Sequence, residues 1–305
     1  MEIIKSALTV DVEDGISLAM RDVFSVDRKQ TDRVVSLTQQ VLSLLEKHSV
    51  KGTFFVLGQV TEAFPGLVKE IASGGHELGV HGYNHLQFFR MTKEQAFQEL
   101  SRAKKRIEDL TGSRVYGHRA PAFSITPETE WGLDVIAEAG FVYDSSIMPI
   151  KGRRYGWPGF PKQIHTMKTP SGADLVEVPM TTYPVLGREI PVCGGGYLRL
   201  FPYSFTKKAF EKISSQRPVI VYMHPYELDT ERYPDYYFKE LKKVGLLKRN
   251  RMKSMWVNRK TVYSKLEKMV VSYPFDTMIN LVKKSVDLKK ISDVQMAKTQ
   301  VNKEI

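Results

Sequence analysis

Cysteine and long apolar runs are scarce in this sequence. Its 305 residues contain one cysteine, Cys193, so the chain cannot form an internal disulfide, which is typical of a reducing compartment. No stretch approaches the roughly 18 consecutive apolar residues of a membrane-spanning helix. The N-terminus, MEIIKSALTVDVED, lacks the apolar core and the cleavage site of a signal peptide. We therefore expect a soluble cytoplasmic protein.

Acidic residues are scarce at one end of the chain only. Residues 1–238 contain 28 basic and 28 acidic side chains, whereas residues 239–305 contain 17 basic and 6 acidic ones and carry the whole net charge of +11. The 42% of hydrophobic residues are enough to bury a core, which excludes an intrinsically disordered chain. We predict a folded domain over residues 1–238 and a basic, mainly helical extension over residues 239–305, packed on or beside that domain.

Short apolar runs alternate with amphipathic segments over most of the chain. Runs typical of strands lie at residues 7–12, 52–57, 77–80, 115–118, 141–143, 175–178 and 219–223. Segments with the apolar spacing of helices lie at residues 31–48, 65–72, 92–110, 127–139 and 204–214. Strands that alternate with helices indicate parallel β-α-β units, and this many units indicate an α/β fold closed into a barrel of about seven strands.

Polar side chains stand at or just after the ends of these predicted strands. They are Asp11, Glu13, Asp14, His81, His85, Arg119, Asp144 and His224. In parallel barrels the reactive groups gather at the C-terminal ends of the strands, on the loops that follow. We therefore expect these side chains to meet at one end of the barrel.

Two of these groups have the composition of a metal site. His81 and His85 are four residues apart, so a helical turn would direct both rings to one side, where they can share a cation. Asp11, Glu13 and Asp14 offer a carboxylate to bind the metal and another to take a proton from water. The alternatives are a pair of loop histidines and a solvated acidic turn that caps a following helix.

Five segments resemble, in order, the successive motifs of the polysaccharide deacetylase family, the NodB-homology domain of carbohydrate esterase family four. They are TVDVEDG, HGYNH, HRAPAF, FVYDSS and VYMHPYELD, and the resemblance covers about residues 7–229. The later segment LGREIPVCGGGYLRLFPY, with the basic C-terminal extension, resembles the subgroup associated with bacterial exopolysaccharide loci. The resemblance implies a deformed (β/α) barrel and a metal-dependent catalytic domain over residues 1–238 that removes acetyl groups from N-acetylated sugars.

The resemblance also implies roles for the residues of the first two motifs. His81 and His85 match the metal-binding histidines. Asp11 matches the general base in members with an Asp-x-Asp first motif, and Glu13 would then be the metal carboxylate. Alignment on the Asp-Asp-Gly version instead makes Glu13 the base and Asp14 the metal ligand. We favour Asp11 as the base, with Glu13 and Asp14 as alternative carboxylates for the metal.

Later motifs imply the groups that act on the amide. Arg119 matches the arginine that pairs with and orients the base. Ala122 replaces a tyrosine whose backbone N–H donates to the oxyanion, and Phe123 is the candidate to replace the lost aromatic wall. His224 matches the histidine that protonates the leaving amine. Asp144, in Asp-Ser-Ser instead of the family's Asp-Trp, is the acid expected to keep His224 cationic.

The expected ligands follow from these assignments. Two histidines and one carboxylate suit Zn²⁺ best, although Co²⁺, Ni²⁺ or Mn²⁺ can take the same ligands. The expected substrate is an N-acetylhexosamine in a glycan or a lipid-linked glycan precursor, with Phe123 and Tyr197 as candidate sugar contacts. The alternatives are an amidohydrolase of the same fold that acts on a formamide or a ureide, and an inactive carbohydrate-binding relative.

The basic end of the chain suggests two further partners. Its run Lys248-Arg249-Asn250-Arg251 can bind phosphate, but no segment resembles a nucleic-acid-binding module, so we expect no nucleic-acid partner. Polybasic segments gain about 1 kcal/mol per basic residue at an anionic membrane surface. Contact with the inner face of a membrane would bring the barrel to a lipid-linked sugar.

Overall fold

The computed structural model describes residues 4–152 and 155–287. Its strands are β1 (Ser6–Val12), β2 (Thr53–Val56), β3 (Glu77–Val80), β4 (Gly117–His118), β5 (Tyr143–Asp144), β6 (His165–Lys168), β7 (Asp174–Glu177), β8 (Thr182–Val185), β9 (Arg188–Pro191), β10 (Ile220–Met223) and β11 (Phe275–Asp276). Its α-helices are α1 (Gly15–Asp22), α2 (Arg33–Lys47), α3 (Gly58–Ala63), α4 (Pro65–Ser73), α5 (Lys93–Thr111), α6 (Gly132–Glu138), α7 (Gly195–Leu200), α8 (Tyr203–Ser214), α9 (Asp235–Lys243), α10 (Leu246–Ser254), α11 (Val262–Ser272) and α12 (Met278–Ser285).

One curled sheet organises the molecule. Its order is β10-β1-β2-β3-β4-β5-β7-β6, with β11 added beside β1. Neighbours from β10 to β7 are parallel, and β6 is antiparallel to β7. Between β7 and β10 the sheet gives way to irregular contacts, including a 2.7 Å hydrogen bond from the Ile220 N–H to Thr181 Oγ1. The predicted α/β fold, a deformed barrel with about seven strands, is confirmed.

Strand β1 shows how the sheet separates the core from the site. All seven of its residues are buried. Leu8, Val10 and Val12 point into the main hydrophobic core beneath the helices. Because successive side chains of a strand alternate between the two faces, Thr9 and Asp11 point to the interior of the barrel. A continuous buried strand can therefore carry a polar side chain directly into a site.

The helices follow the predicted apolar pattern closely. Helix α2 buries the stripe expected from the spacing of its apolar residues, from Val34 to Leu45. Helix α5 begins with a capping box in which Thr92 and Gln95 bond each other's backbone N–H, and it ends at Gly112 in the left-handed conformation. These helices fill the connections that parallel strands require.

The basic segment beyond residue 238 packs into the same body. Strand β11 pairs with β1, joining Phe275 to Ser6, and α11 contributes Leu266 and Met269 to the main core. The Lys265 ammonium is buried and donates to three carbonyls at the end of α7, at 2.8 to 3.1 Å. Part of the basic excess is therefore structural, while the boundary at residue 238 stays a prediction. The lysine-rich end of the chain lies largely outside the described residues.

No helix of the described residues combines the length and the apolar character that crossing a membrane requires.

Candidate active site

Glu13, His81 and His85 form a buried cluster at the C-terminal ends of β1 and β3. Glu13 Oε1 lies 2.7 Å from His81 Nε2 and 3.0 Å from His85 Nε2. One ligand atom from each residue falls within 4.8 Å of the others, a spacing that can hold a metal ion. Burial alone would raise the pKa of Glu13, but the surrounding histidines hold it well below its ordinary value. The carboxylate is therefore ionised, as a metal ligand must be.

The Nδ1 atoms of His81 and His85 point away from Glu13 and contact other parts of the protein. His81 Nδ1 lies 2.8 Å from the Arg119 carbonyl oxygen, which can only accept, so Nδ1 donates to it and Nε2 is the nitrogen directed at Glu13. His85 Nδ1 faces α1, 3.5 Å from Asp22 Oδ2 and 3.3 Å from Arg21 Nη2. Such outer contacts orient metal-binding histidines. The donor set thus fits a divalent cation with two imidazoles and one carboxylate.

The two histidines meet through a loop instead of the expected helical turn. Gly82 and His85 have φ angles of 78° and 55°, in the left-handed region, so the segment doubles back after β3. The Arg21 guanidinium donates to the Asn84 carbonyl oxygen and holds this loop against α1.

Asp14, predicted as the alternative metal ligand, lies outside this cluster. Its Oδ1 accepts a 2.9 Å hydrogen bond from the Ile16 N–H at the start of α1, and its Oδ2 accepts one from the Thr31 N–H. The side chain is the N-cap of α1, because the first N–H groups of a helix need acceptors. Asp14 caps a helix, as the alternative interpretation predicts, but it is buried and not solvated, and Glu13 is the carboxylate beside the two histidines.

Arg119 and Asp11 form a buried pair next to the cluster. Arg119 Nη1 donates to Asp11 Oδ1 at 2.7 Å and to Thr9 Oγ1 at 2.8 Å. Its Nε and Nη2 donate to the carbonyl oxygen and the hydroxyl of Ser145, each at 3.1 Å. The guanidinium also lies over the Phe55 ring, 4.3 Å from its centroid. Arg119 is therefore held rigidly and fixes the orientation of the Asp11 carboxylate.

His224 follows β10 and faces the same cluster. Its nearest carboxylate oxygens are Asp11 Oδ2 at 3.8 Å, Glu13 Oε2 at 4.0 Å and Glu227 Oε2 at 3.8 Å. Its ring stacks on Tyr226, with centroids 4.8 Å apart. Burial alone would lower the pKa of His224, but the negative charges of these carboxylates raise it to about 9. At neutral pH the imidazole is cationic and can give up a proton.

The predicted partner of His224, Asp144, lies elsewhere. Asp144 Oδ1 accepts from His118 Nδ1 and from Ser146 Oγ, both at 2.7 Å, inside the sheet. Its role is structural, because Ser146 Oγ in turn accepts from the Ala120 N–H and fixes the turn after β4. Glu227, three residues after His224, is the acid that the sequence analysis missed. The His-Pro-Tyr-Glu spacing after a strand was the available signal.

Ala122 and Phe123 form a strained turn beside His224. Their φ angles are 54° and 52°, in a region that residues other than glycine rarely adopt. Both residues line the cavity over the cluster. The Phe123 ring packs edge-on against Tyr222 at 5.0 Å and Tyr155 at 6.1 Å, so the three rings form an aromatic wall. Whether this wall contacts a sugar stays a prediction.

Tyr197 does not line this cavity. Its hydroxyl lies 3.4 Å from that of Tyr155, and its ring packs on Phe201. Tyr155 and Tyr222 occupy the wall where Tyr197 was expected. The reason is the close approach of Gly194 to β10, since a Cβ on Gly194 would lie 2.1 Å from the Tyr222 ring. The chain therefore turns at this point with Tyr197 behind the wall.

The cavity has two lobes that meet at Ala122, Phe123 and His224. The larger, of about 320 Å³, lies over Glu13, His81 and His85, and the smaller, of about 220 Å³, is lined by Tyr155 and Tyr222. Helix α10 forms one side of both lobes. Its residues on that wall are Lys248, Arg251 and Met252, with Met255 just beyond. The sequence predicts no residue of the basic segment in the site.

Two parts of the chain match family models. The family described as polysaccharide deacetylase matches residues 24–143, and a domain of unknown function matches residues 145–283. The second match begins one residue after Asp144 and includes His224 and α10. The elements that close the cavity thus lie in a region whose family description carries no function.

Curated relatives match between about a third and two fifths of the chain. The peptidoglycan deacetylase of Helicobacter pylori is 34% identical over 109 residues, 36% of this chain and 36% of that protein. The peptidoglycan-N-acetylglucosamine deacetylase PgdA of Listeria monocytogenes is 34% identical over 103 residues, 33% of this chain and 22% of that protein. The peptidoglycan-N-acetylmuramic acid deacetylase PdaA of Bacillus subtilis is 31% identical over 134 residues, 42% of this chain and 51% of that protein. The chain thus spans about half or less of the length of these relatives.

Solved structures share the whole architecture. A candidate polysaccharide deacetylase from Mycobacterium smegmatis superposes with a TM-score of 0.62 at 19% identity, over 93% of this chain and 90% of that chain. An allantoinase superposes with a TM-score of 0.58 at 14% identity, over 92% and 89%. At these identities the likeness shows the fold.

Proposed function

We propose that this chain, whose residues 24–143 match the family described as polysaccharide deacetylase, hydrolyses the N-acetyl group of an N-acetylhexosamine in a glycan and releases acetate. One observation carries the proposal. Glu13, His81, His85, Asp11 and His224 border a single cavity, and Asp11 Oδ2 lies 3.8 Å from His224 Nε2. A base, an acid and a metal site are thus within reach of one amide.

The metal site is proposed to hold Zn²⁺ through Glu13, His81 and His85. A divalent cation there supplies Lewis-acid chemistry, polarising the amide carbonyl and making water easier to deprotonate. The buried carboxylate and the two imidazoles would hold the ion, and all three side chains border the cavity. Zn²⁺ fits this donor set best, and Co²⁺, Ni²⁺ or Mn²⁺ are the alternatives.

Asp11 is proposed as the general base. Arg119 holds one carboxylate oxygen, Oδ1, at 2.7 Å, and this leaves Oδ2 on the side of His224 and the cavity. A fixed carboxylate loses no rotational freedom when it takes the proton of the attacking water. The backbone N–H of Ala122, in the strained turn beside His224, is the proposed donor to the oxyanion of the tetrahedral intermediate.

His224 is proposed as the general acid. An amine is a poor leaving group unless its nitrogen is protonated as the C–N bond breaks. The cationic imidazole faces the cavity, and its stacking on Tyr226 and the neighbouring Glu227 keep it in place. After proton transfer, acetate and the free amine of the sugar leave the site.

The test is acetate release by purified, Zn²⁺-loaded protein from oligomers of N-acetylglucosamine. We expect turnover that falls by about 10²–10⁴ in Asp11→Asn, and no loss in the matched control Asp109→Asn, an exposed aspartate on α5. Release of formate or of urea from formamide or ureide substrates, without acetate release from any sugar, would replace this proposal by the small-amide alternative. Sugar binding without turnover of any amide would identify an inactive relative.

We further propose that the tip of α10 contacts an anionic membrane surface on its cytoplasmic side, where a lipid-linked glycan precursor would be presented. Leu246 and Leu247 are 68% and 88% exposed and begin a helix rich in basic residues. This pattern is typical of segments that lie in the membrane interface. Leu246→Ser/Leu247→Ser should reduce sedimentation with anionic vesicles, whereas Leu186→Ser, at an exposed turn elsewhere, should not. Equal binding to neutral and anionic vesicles would contradict the proposal.

A further inference from the structure

One face of α10 closes the side of the cavity. Lys248, Arg251, Met252 and Met255 are spaced i, i+3, i+4 and i+7, so they share that face. Met252 is buried and anchors the face to the body of the protein. Lys248 and Arg251 are exposed and stand side by side on the wall of the larger lobe.

Neither cation is neutralised by the protein. Within residues 4–152 and 155–287, the side chains of Lys248 and Arg251 form no hydrogen bond and no ion pair. Like charges at this helical spacing repel each other. An arrangement of this kind is favourable once an anion binds between them.

The carboxylates of the cavity already have cationic or imidazole partners. Asp11 pairs with Arg119, Glu13 lies against His81 and His85, Asp22 pairs with Arg21, and Glu227 lies beside His224. Lys248 and Arg251 on α10 are therefore cations of the wall that have no acidic partner among the described residues.

A third cation holds α10 in this position. Arg199 is buried, and its Nη1 donates to the carbonyl oxygens of Ser254 and Val257, at 2.6 and 2.9 Å, at the end of α10. Its Nε has no partner among the described residues, and the side chain lines the smaller lobe beside Arg251. The basic face is thus a fixed part of both lobes.

We infer that the substrate carries an anionic group, a carboxylate or a phosphate, next to its N-acetylated sugar, and that Lys248 and Arg251 bind this group. The inference rests on the proposed deacetylase function and names the substrate class more narrowly. The planar fork of Arg251 suits a carboxylate or a phosphate, whose two oxygens it can bind together. Lys248 adds a point charge three residues away.

Two matched pairs of substrates distinguish the sources of the anion. The first pair is a tetrasaccharide that alternates N-acetylglucosamine with glucuronate, and its carboxyl-reduced, neutral form. The second is N-acetylglucosamine 1-phosphate and N-acetylglucosamine. We expect kcat/KM for acetate release to be higher by about tenfold or more for the charged member of one pair. Which pair shows the preference identifies carboxylate or phosphate.

The variant Lys248→Gln/Arg251→Gln should lose this preference, so that its kcat/KM values for the charged and the neutral member become equal. Lys253→Gln, an exposed lysine of the same helix that does not line the cavity, is the matched control and should keep the preference. Equal kcat/KM for both members of both pairs in the unaltered protein would overturn the inference, and so would a preference that survives in the double variant.

Binding measured by calorimetry separates this inference from the proposed reaction. If no sugar releases acetate, the deacetylase proposal fails. Tighter binding of a charged member, lost in Lys248→Gln/Arg251→Gln, would still support the anion site. Equal binding of charged and neutral members would overturn it.

Discussion

Arg119 and Asp11 are 108 residues apart in the chain, yet Nη1 of one and Oδ1 of the other lie 2.7 Å apart inside the barrel. Both side chains are buried. The contact exists because β1 and β4 place their C-terminal ends at the same edge of the sheet, with β2 and β3 between them. A rigid ion pair at this edge connects the stability of the barrel to the proposed chemistry.

Removing one partner of this pair should destabilise the protein. In Arg119→Met the buried Asp11 carboxylate loses its counter-charge, and we expect the free energy of unfolding to fall by about 3–5 kcal/mol. In the double variant Arg119→Met/Asp11→Asn the lone charge is gone, so most of that stability should return while acetate release stays lost. Denaturant unfolding of both variants measures this. A double variant as unstable as Arg119→Met would contradict the account.

Glu13 and Asp14 should behave differently although they are adjacent. Glu13→Ala removes a proposed ligand, so we expect the zinc content per chain to fall strongly. Asp14→Ala removes the N-cap of α1, so we expect a loss of about 0.5–2 kcal/mol in the free energy of unfolding with the zinc content retained. Elemental analysis and denaturant unfolding separate the two effects. Zinc lost in Asp14→Ala but kept in Glu13→Ala would reverse the assignment.

Chelation should abolish acetate release and leave the fold in place. Glu13, His81 and His85 lie on loops that follow the strands, and the strands themselves are held by an apolar core. The ion is therefore not needed to keep the strands together. We expect chelator-treated protein to keep its circular dichroism spectrum and to regain activity when Zn²⁺ is added. Activity that persists in protein with no bound metal by elemental analysis would rule out the metal-dependent mechanism.

The contribution of His224 to the reaction rate should depend on whether the leaving group needs a proton. His224→Asn removes the proposed acid, so hydrolysis of an acetamido sugar should fall by about 10²–10⁴. p-Nitrophenyl acetate releases a phenolate that needs no proton, so its hydrolysis should fall far less. The ratio of the two rates in the variant and in the unaltered protein is the measurement. Equal loss on both substrates would indicate that His224 only shapes the cavity.

His76 should make stability depend on pH below neutrality. Its Nδ1 accepts a 3.1 Å hydrogen bond from the Gly52 N–H, and burial, helped by the charge of Lys51, lowers its pKa to about 4. The unfolded chain binds a proton near the ordinary pKa of about 6.5, and the folded one does not. This contribution to stability is therefore complete above pH of about 6.5 and is lost as the pH falls towards 4. Between pH of about 6.5 and 4, the melting temperature of His76→Gln should change less with pH than that of the unaltered protein. The melting temperature of His165→Gln should change with pH as it does in the unaltered protein.

Much of the fold could be predicted from the sequence because its signals are local. Strand β3 lies at the predicted residues, and α2 and α5 differ from the predicted ranges by one or two residues at each end. Alternation of strand and helix is enough to indicate a parallel sheet, and the ends of parallel strands share an edge. The meeting of Asp11, His81, Arg119 and His224 at that edge is a consequence of the same rule.

The roles of adjacent acids could not be predicted, because they depend on where the backbone turns. Val12 points into the core, Glu13 leaves the strand towards the two histidines, and Asp14 begins α1. The choice between Glu13 and Asp14 follows from the position of that helix, whose first residue the apolar pattern does not indicate. The predicted partner of His224, Asp144, was wrong for a similar reason, because Asp144 is hydrogen-bonded to His118 inside the sheet.

Residue types and their order along the chain specified the barrel, the end of its strands where the polar side chains meet, and the excess of positive charge beyond residue 238. Only the tertiary structure placed that charge. Helix α10 returns to the cavity and contributes Lys248 and Arg251 to its wall, while Lys265 caps α7 in the interior. Periodicity and composition describe each segment by itself, whereas these contacts depend on packing between segments that are far apart in the chain.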